Sequence, residues 1–279
     1  MKLLRATLGN ALVLNYDERD VIIGKHVADT GRFEPYEEEL FLSLLRPGDL
    51  AIDIGANIGI YTLQAALKIG PTGTVYAFEP EPRNYDILCR NIQENHLTNV
   101  VTFPTALSDT AGTAHMYLSA ENYGDHRVYD AGYDEARNTV TIRTDTLDAI
   151  LLDRAHERRH VRAIKSDTQG YEPFVVRGAE RLIIRDQPTI LLEYWPFGYG
   201  KAHADGARML DFLLAHYAHA YVIEGGALQP LDPATLDTFQ RKPGEAEGHR
   251  NLVFSTLFRR KPRASPFASG LRRDRSARG

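Results

Sequence analysis

The chain has 279 residues, 43% hydrophobic and 25% charged, enough for one large domain with a substantial core. Its single cysteine, Cys89, excludes an intramolecular disulfide and a cysteine-rich zinc site, and no apolar run reaches membrane-spanning length. The net charge of −4 divides unequally: residues 259–279 carry eight basic residues and one acid, a local +7, which leaves −11 on the rest and makes that body a poor surface for nucleic acid.

Residues 11–14 and 21–26 read as two short strands joined by a polar turn at 16–20. A helix is expected at 36–45, with Leu40, Phe41, Leu44 and Leu45 as its apolar stripe and Pro47-Gly48 ending it. The pattern then becomes an alternation: strand 50–54, helix 60–69, strand 74–78, helix 83–95, strand 100–103. Residues 105–147 are less regular, with 113–118 and 139–143 alternating as antiparallel strands do. The alternation resumes with strand 161–165, a helix around 173–184, strand 189–193, helix 206–216, strand 220–224 and a last strand at 251–257. Strands separated by helices of this length indicate an α/β fold with a mostly parallel sheet, here carrying a β-rich insertion. The expected division is an N-terminal extension over 1–48, a main domain over 49–258 and a tail over 259–279 whose arginines, prolines and few apolar residues predict disorder. Arg5 and Asn10 interrupt the stretch that a signal peptide needs apolar, so a cytoplasmic location is expected.

The most informative segment is Asp53-Ile-Gly55-Ala56-Asn57-Ile-Gly59, in the turn from the first sheet strand to its helix. Open α/β sheets bind ligands there, and glycine lets a ligand approach the backbone. The next strand ends in Glu79-Pro80, with Glu79 20 residues beyond Gly59, the spacing at which a carboxylate grips ribose hydroxyls. A dinucleotide fingerprint needs G-x-G-x-x-G; here the glycines stand four apart and the loop carries an acid, which suits a cationic ligand better than a diphosphate. That points to S-adenosylmethionine rather than a nicotinamide dinucleotide.

Taken with Ala106-Leu-Ser108-Asp109, Ile164-Lys165-Ser-Asp167-Thr-Gln-Gly170-Tyr-Glu172 and Leu192-Glu193-Tyr-Trp195-Pro196, these motifs resemble the FkbM family of S-adenosylmethionine-dependent methyltransferases, over about residues 34–254. The resemblance implies a Rossmann-like class I methyltransferase fold, a seven-stranded sheet with helices on both faces and an antiparallel last strand. It also implies O-methylation of a sugar, glycan or natural-product hydroxyl. The cofactor would be held by Asp53, Gly55, Ala56, Asn57, Gly59, Glu79, Pro80, Ser108, Asp109 and Asp167.

Methyl transfer to a hydroxyl needs the oxygen held in line and its proton removed. Asp167 and Glu193, at two strand ends, and His126, in the insertion, are the candidate bases. Asp167 also reads as a helix cap, and Glu193 as a loop acid pairing with Lys201. Asp125, His126 and Arg127 suit a polar or anionic substrate group; Glu172 either contacts substrate or orients the loop; Trp195, with Tyr123, Tyr171 and Phe197, offers an aromatic wall. Glu34 and Glu37 either close over the cofactor or bias a helix N-terminus, and His249 and Asn251 lie before the last strand as an opposite rim. No motif calls for a metal. Competing readings are a nucleic-acid or other N-methyltransferase, disfavoured by the acidic body and the absence of an Asn/Asp-Pro-Pro-aromatic motif; a nicotinamide-dependent oxidoreductase, disfavoured by the glycine spacing; and a non-catalytic scaffold.

Overall fold

The computed structural model of the protein describes residues 2–119, 122–130, 138–155, 157–232 and 248–256. In chain order they form β1 (Leu3–Leu8), β2 (Leu12–Asp17), α1 (Ile23–Thr30), α2 (Pro35–Leu44), β3 (Leu50–Ile54), α3 (Ile60–Ile69), β4 (Thr74–Phe78), α4 (Pro82–Glu94) and β5 (Val100–Phe103). The insertion supplies β6 (Ala106–Leu107), β7 (Gly112–Tyr117) and β8 (Thr139–Asp145). Then come β9 (Val161–Ser166), α5 (Glu172–Arg177), α6 (Glu180–Asp186), β10 (Thr189–Tyr194), α7 (Pro196–Lys201), α8 (Gly206–His216), β11 (His219–Glu224), β12 (Ala227–Pro230) and β13 (Arg250–Ser255). The expected tail at 259–279 lies outside the described residues.

The main sheet has the order β12-β11-β13-β10-β9-β3-β4-β5. β10, β9, β3, β4 and β5 pair in parallel, while β13 runs antiparallel to both β10 and β11. Seven strands therefore stand as the resemblance implied, and β12 adds an eighth. Its signal is Gly225-Gly226, both at positive φ, which closes a two-residue hairpin between β11 and β12. The insertion folds as a separate three-stranded sheet, β6-β8-β7.

Side-chain alternation divides the core between the sheet's faces. Ile52, Ile54, Ile164 and Leu192 pack with the buried residues of α5, α6 and α8; Ala51, Ala163, Leu191 and Val253 pack on the other face with α2, α3 and the β1–β2 hairpin. Asn91 of α4 pins that hairpin: its Oδ1 accepts from the Asn15 N–H (2.7 Å) and its Nδ2 donates to the carbonyls of Asn15 (3.1 Å) and Ile58 (2.8 Å).

Two expectations are corrected. Residues 21–26 are not a strand: the Asp20 carboxylate accepts the N–H groups of Ile22, Ile23 and Gly24 and starts α1, leaving Val21 and Ile22 exposed. The single helix around 173–184 is two helices, because the chain breaks at Gly178, where a Cβ would sit 1.9 Å from the Ser108 carbonyl oxygen.

Candidate functional site at the carboxyl edge of the sheet

All parallel strands end at one edge, and the chain leaves β3 toward β4 on one side while β9 flanks it on the other. Such a switch point opens a crevice beyond the strand tips. Two cavities meet there, both touching Gly55, Asn57, Gly124, Asp167 and Gln169. The smaller, about 60 Å³, reaches Glu79, Pro80, Asn84, Leu107, Tyr123 and His126. The larger, about 460 Å³, reaches Glu34, Asp53, Tyr61, Lys165, Glu193 and Trp195, with His249 and Asn251 on its rim.

The glycine turn is shaped by close approach. Gly55 has φ +76°, and a Cβ on it would lie 1.9 Å from the Asp167 carbonyl oxygen; Gly59 has φ +100° and opens α3 against Leu88. The Gly55 and Ala56 N–H groups donate to the Phe78 carbonyl, tying the turn to β4. Asn57, also at positive φ, donates its N–H to Glu79 Oε2 (2.8 Å) and its Nδ2 to the Tyr123 carbonyl (3.0 Å). The turn thus joins the insertion to the strand tip bearing Glu79. Glu79 also accepts the Glu81 N–H at Oε1 (2.8 Å). Burial dominates its titration and pushes it up to about 8, against the pull of these two backbone donors.

Asp53 is buried, with Oδ2 accepting from Thr62 Oγ1–H (2.6 Å) and Oδ1 without a hydrogen-bond partner among the described residues. Burial raises its pKa, partly offset by Lys165. Lys165 lies beside Asp53 in the β3–β9 register; its Nζ is 3.2 Å from Asp167 Oδ2 and 4.5 Å from the Tyr61 ring centre. Burial pulls this lysine down, but Asp167, Asp53 and Glu34 more than offset it and hold it above its ordinary value. Asp167 is held low: burial opposes ionisation, and Lys165 with Gln169, whose Nε2 donates to Oδ1 (2.8 Å), overcomes it. Glu193 lies on the same cavity and is pushed well up, first by burial and then by Asp167 and Glu172. Glu34, at φ +46° just before α2, accepts from the Tyr61 hydroxyl (2.9 Å), and burial raises it to about 7.

Four expected roles meet a different geometry. Ser108 and Asp109 line neither cavity: Asp109 pairs with Arg177, and Ser108 sits between Asp109 and the Tyr171 hydroxyl, bracing the insertion on α5. Ala106 and Leu107, the preceding two residues, line the smaller cavity instead. Glu172 is fully buried and spends both oxygens on its own loop, accepting the Thr168 and Gly170 N–H groups. It orients the loop and lines neither of the two cavities. His126 Nδ1 accepts the Ser119 N–H (3.0 Å), so the neutral ring carries its proton on Nε2 and presents a donor rather than a base. Trp195 is no open stacking wall: Arg127 lies 4.7 Å from its ring centre, and Gly198 packs so closely that a Cβ would be 2.2 Å from Cε3. Its indole Nε1 is buried without a hydrogen-bond partner among the described residues. Arg127 in turn pairs with Asp125, and both line the larger cavity.

Lys165, Tyr61, Asn84 and Gln169 carry no expected role from the sequence, although Lys165 and Gln169 stand within a motif that carries the resemblance. Two charges, Arg162 and Lys165, inside the central strand β9 were the available signal, since strands covered on both faces are near-continuously hydrophobic; of the two, Lys165 is the buried one.

The Methyltransferase FkbM domain matches residues 53–222 of the chain. The 31-O-demethyl-FK506 methyltransferase FkbM of Streptomyces tacrolimicus is 43% identical over 72 residues, 26% of this chain and 27% of the relative. Methyltransferase sdnD of Sordaria araneosa is 43% identical over 63 residues, 22% and 24% of the two chains. The chain thus spans about a quarter of the length of each of these relatives. A solved structure of methyltransferase FkbM from Methylobacillus flagellatus KT superposes with a TM-score of 0.44 at 14% identity, covering 88% of this chain and 63% of that one. With 53–222 matched, well over half of its length, the chain belongs to the FkbM family of S-adenosylmethionine-dependent methyltransferases.

Proposed function

We propose that the chain transfers a methyl group from S-adenosylmethionine to a hydroxyl of a sugar, glycan or natural product. The observation that carries this reading is the buried Asp53 carboxylate, one oxygen without a hydrogen-bond partner among the described residues, beside the glycine turn and within one crevice of Glu79. A buried carboxylate lacking a donor is costly unless a ligand supplies one. The cofactor's ammonium and ribose hydroxyls are such donors, so the residues present fit it. Gly55, Ala56, Asn57 and Gly59 would let it approach the backbone, Glu79 would take the ribose, and Asn84, Pro80 and the His126 Nε2–H would face it in the smaller cavity.

When bound, the cofactor supplies an electrophilic methyl carbon on a positively charged sulfur. The chain must bring the acceptor oxygen into line and take its proton. Asp167, held low by Lys165 at the junction of the two cavities, is assigned the proton; Glu193, whose carboxyl burial pushes well up, is assigned a hydrogen bond that orients the acceptor. Asp125, Arg127 and the Trp195 edge line the side from which the acceptor enters. The FK506 relative is named for methylation at an oxygen, which supports oxygen as the target here. The acidic body supports a small-molecule or glycan acceptor over nucleic acid, and a single cysteine fits a reducing, cytoplasmic compartment. Among the described residues no helix is long and apolar enough to cross a membrane.

The test is titration with S-adenosylhomocysteine followed by methyl-label transfer. Asp53→Ala and Glu79→Ala should each abolish binding; unchanged titrations in both would refute the reading.

A further inference from the structure

We infer that the methyl acceptor is amphipathic: its hydroxylated end enters the larger cavity, and an apolar body lies on a lip formed by Val21, Ile22 and Phe33. This rests on the proposed transfer to a hydroxyl. It narrows the acceptor to a compound that carries an alkyl or comparably apolar moiety and excludes a free sugar.

Three observations converge. First, Val21 and Ile22 are adjacent and are 52% and 49% exposed. The other large apolar side chains exposed among the described residues, Leu67, Val101 and Ile184, stand singly on α3, β5 and α6 and line neither cavity. A lone apolar surface residue needs no explanation, whereas a contiguous patch on the rim of a cavity marks a binding surface. Second, the core does not account for the pair. The Asp20 carboxylate fixes the start of α1, and Ile23 and Val27 are the large side chains that this helix buries. Polar residues at 21 and 22 would leave that packing untouched. Third, the patch is continuous with the crevice: Ile22, Ile23 and Phe33 line the larger cavity together with Asp167, Glu193 and Trp195. Phe33 meets His26 of α1 edge-on, ring centres 6.2 Å apart. Gly124 of the insertion packs so closely on Ile23 that a Cβ would lie 2.3 Å from its Cδ1. The start of α1, the residue two before α2 and the insertion thus frame one mouth.

The larger cavity is therefore graded in polarity. Its floor holds the buried Asp53 and Lys165, and its α1 side carries the half-exposed Ile22 and the half-buried Phe33. A free sugar bears hydroxyls on every side. Seated here, it would press some of them against side chains that have no hydrogen-bonding group, at a desolvation cost. An acceptor with one hydroxylated end and one apolar body meets both surfaces, and covering Ile22 and Val21 removes apolar area from water. The chain should therefore distinguish two ligands with the same sugar head by the length of an attached alkyl group.

The full chain is saturated with S-adenosylhomocysteine and titrated with methyl β-glucoside or octyl β-glucoside, the latter kept below its micelle concentration. Binding is read by calorimetry and by the emission of Trp195, the single tryptophan of the chain, which lines the same cavity. Octyl β-glucoside should bind at least about 10-fold more tightly than methyl β-glucoside, because burial of only part of the alkyl chain contributes that much. Ile22→Ser should weaken octyl β-glucoside about 3- to 10-fold and leave S-adenosylhomocysteine within about twofold. Ile184→Ser removes an apolar residue that is 53% exposed and outside the cavity, and should change neither. Both substitutions lie on the surface, where folding tolerates them. Octyl β-glucoside bound no more tightly than methyl β-glucoside, or not bound at all, would overturn the inference. So would an unchanged octyl β-glucoside affinity in Ile22→Ser, or an equal loss in Ile184→Ser, the mark of indiscriminate adsorption. Failure of wild type to bind S-adenosylhomocysteine would instead refute the cofactor assignment itself, and this inference with it.

Discussion

Glu79 ties cofactor affinity to pH through a change that is calculable from its setting. In the free protein it is buried beyond the tip of β4, and desolvation raises it to about 8 despite the Asn57 and Glu81 N–H donors. At neutral pH it is therefore mostly protonated. A ribose whose two hydroxyls donate to the carboxylate favours the ionised form, so binding must release a proton. The penalty is the factor 1 + 10^(8−pH), which is about 100 at pH 6, about 11 at pH 7 and about 2 at pH 8. Affinity should improve roughly 50-fold from pH 6 to pH 8, about 2.3 kcal/mol. The probe of choice is 5′-methylthioadenosine, because it keeps the ribose and has no α-amino group titrating near pH 8. Calorimetry in buffers of different ionisation enthalpy should show close to one proton released at pH 6.5. Glu79→Gln should bind weakly with a flat profile. A flat wild-type profile from pH 6 to 8, or the same slope in Glu79→Gln, would refute the reasoning. The same shift has a sign for folding: a carboxyl raised from 4.5 to about 8 in the native state contributes stability below pH 4.5 that is lost as pH rises through 8. Free wild type should accordingly melt lower at pH 8.5 than Glu79→Gln does relative to their values at pH 6.

Gly55→Ala should lose S-adenosylhomocysteine binding, because its Cβ would lie 1.9 Å from the Asp167 carbonyl oxygen at positive φ. Gly70→Ala, also at positive φ (φ 69°, ψ −178°) but with no atom near its Cβ, should cost about 1–3 kcal/mol in urea unfolding and leave binding intact; matching effects of the two would contradict the role given to Gly55. Asn91→Ala should cost about 3–5 kcal/mol by urea unfolding, since it strips buried backbone groups of Asn15 and Ile58 of their partners, and a loss under 1 kcal/mol would show that the hairpin docks by other means. Deleting residues 259–279, which follow the last strand, should leave S-adenosylhomocysteine affinity unchanged within about twofold; a tenfold loss would assign the basic tail to the site.

The glycine turn and the acid-tipped strands were legible in the sequence because each depends on local pattern. β3, α3, β4, β5 and α8 stand where periodicity puts them, since an apolar run bounded by Pro-Gly or glycine has few other ways to bury itself. Residues 21–26 misled because a Val-Ile-Ile run favours a strand locally, whereas Asp20 accepts three N–H groups and nucleates a helix. At the site, misplacements arose where a partner distant in sequence decides the role. Asp109 is drawn away by Arg177, 68 residues on, and His126 is fixed as a donor by the backbone of Ser119. Lys165 gains meaning only beside Asp53 and Glu34, more than 100 residues earlier. Trp195 could be read as a platform until Gly198 and Arg127 are seen to cover its faces.

The most direct test of the central claim is to incubate the full chain with methyl-labelled S-adenosylmethionine and a panel of hydroxylated sugars and natural products, then locate the label. Label is expected on an oxygen of a small molecule or glycan, lost in Asp167→Ala while that variant still binds S-adenosylhomocysteine. Label on a nitrogen or on nucleic acid, or full turnover by Asp167→Ala, would contradict it.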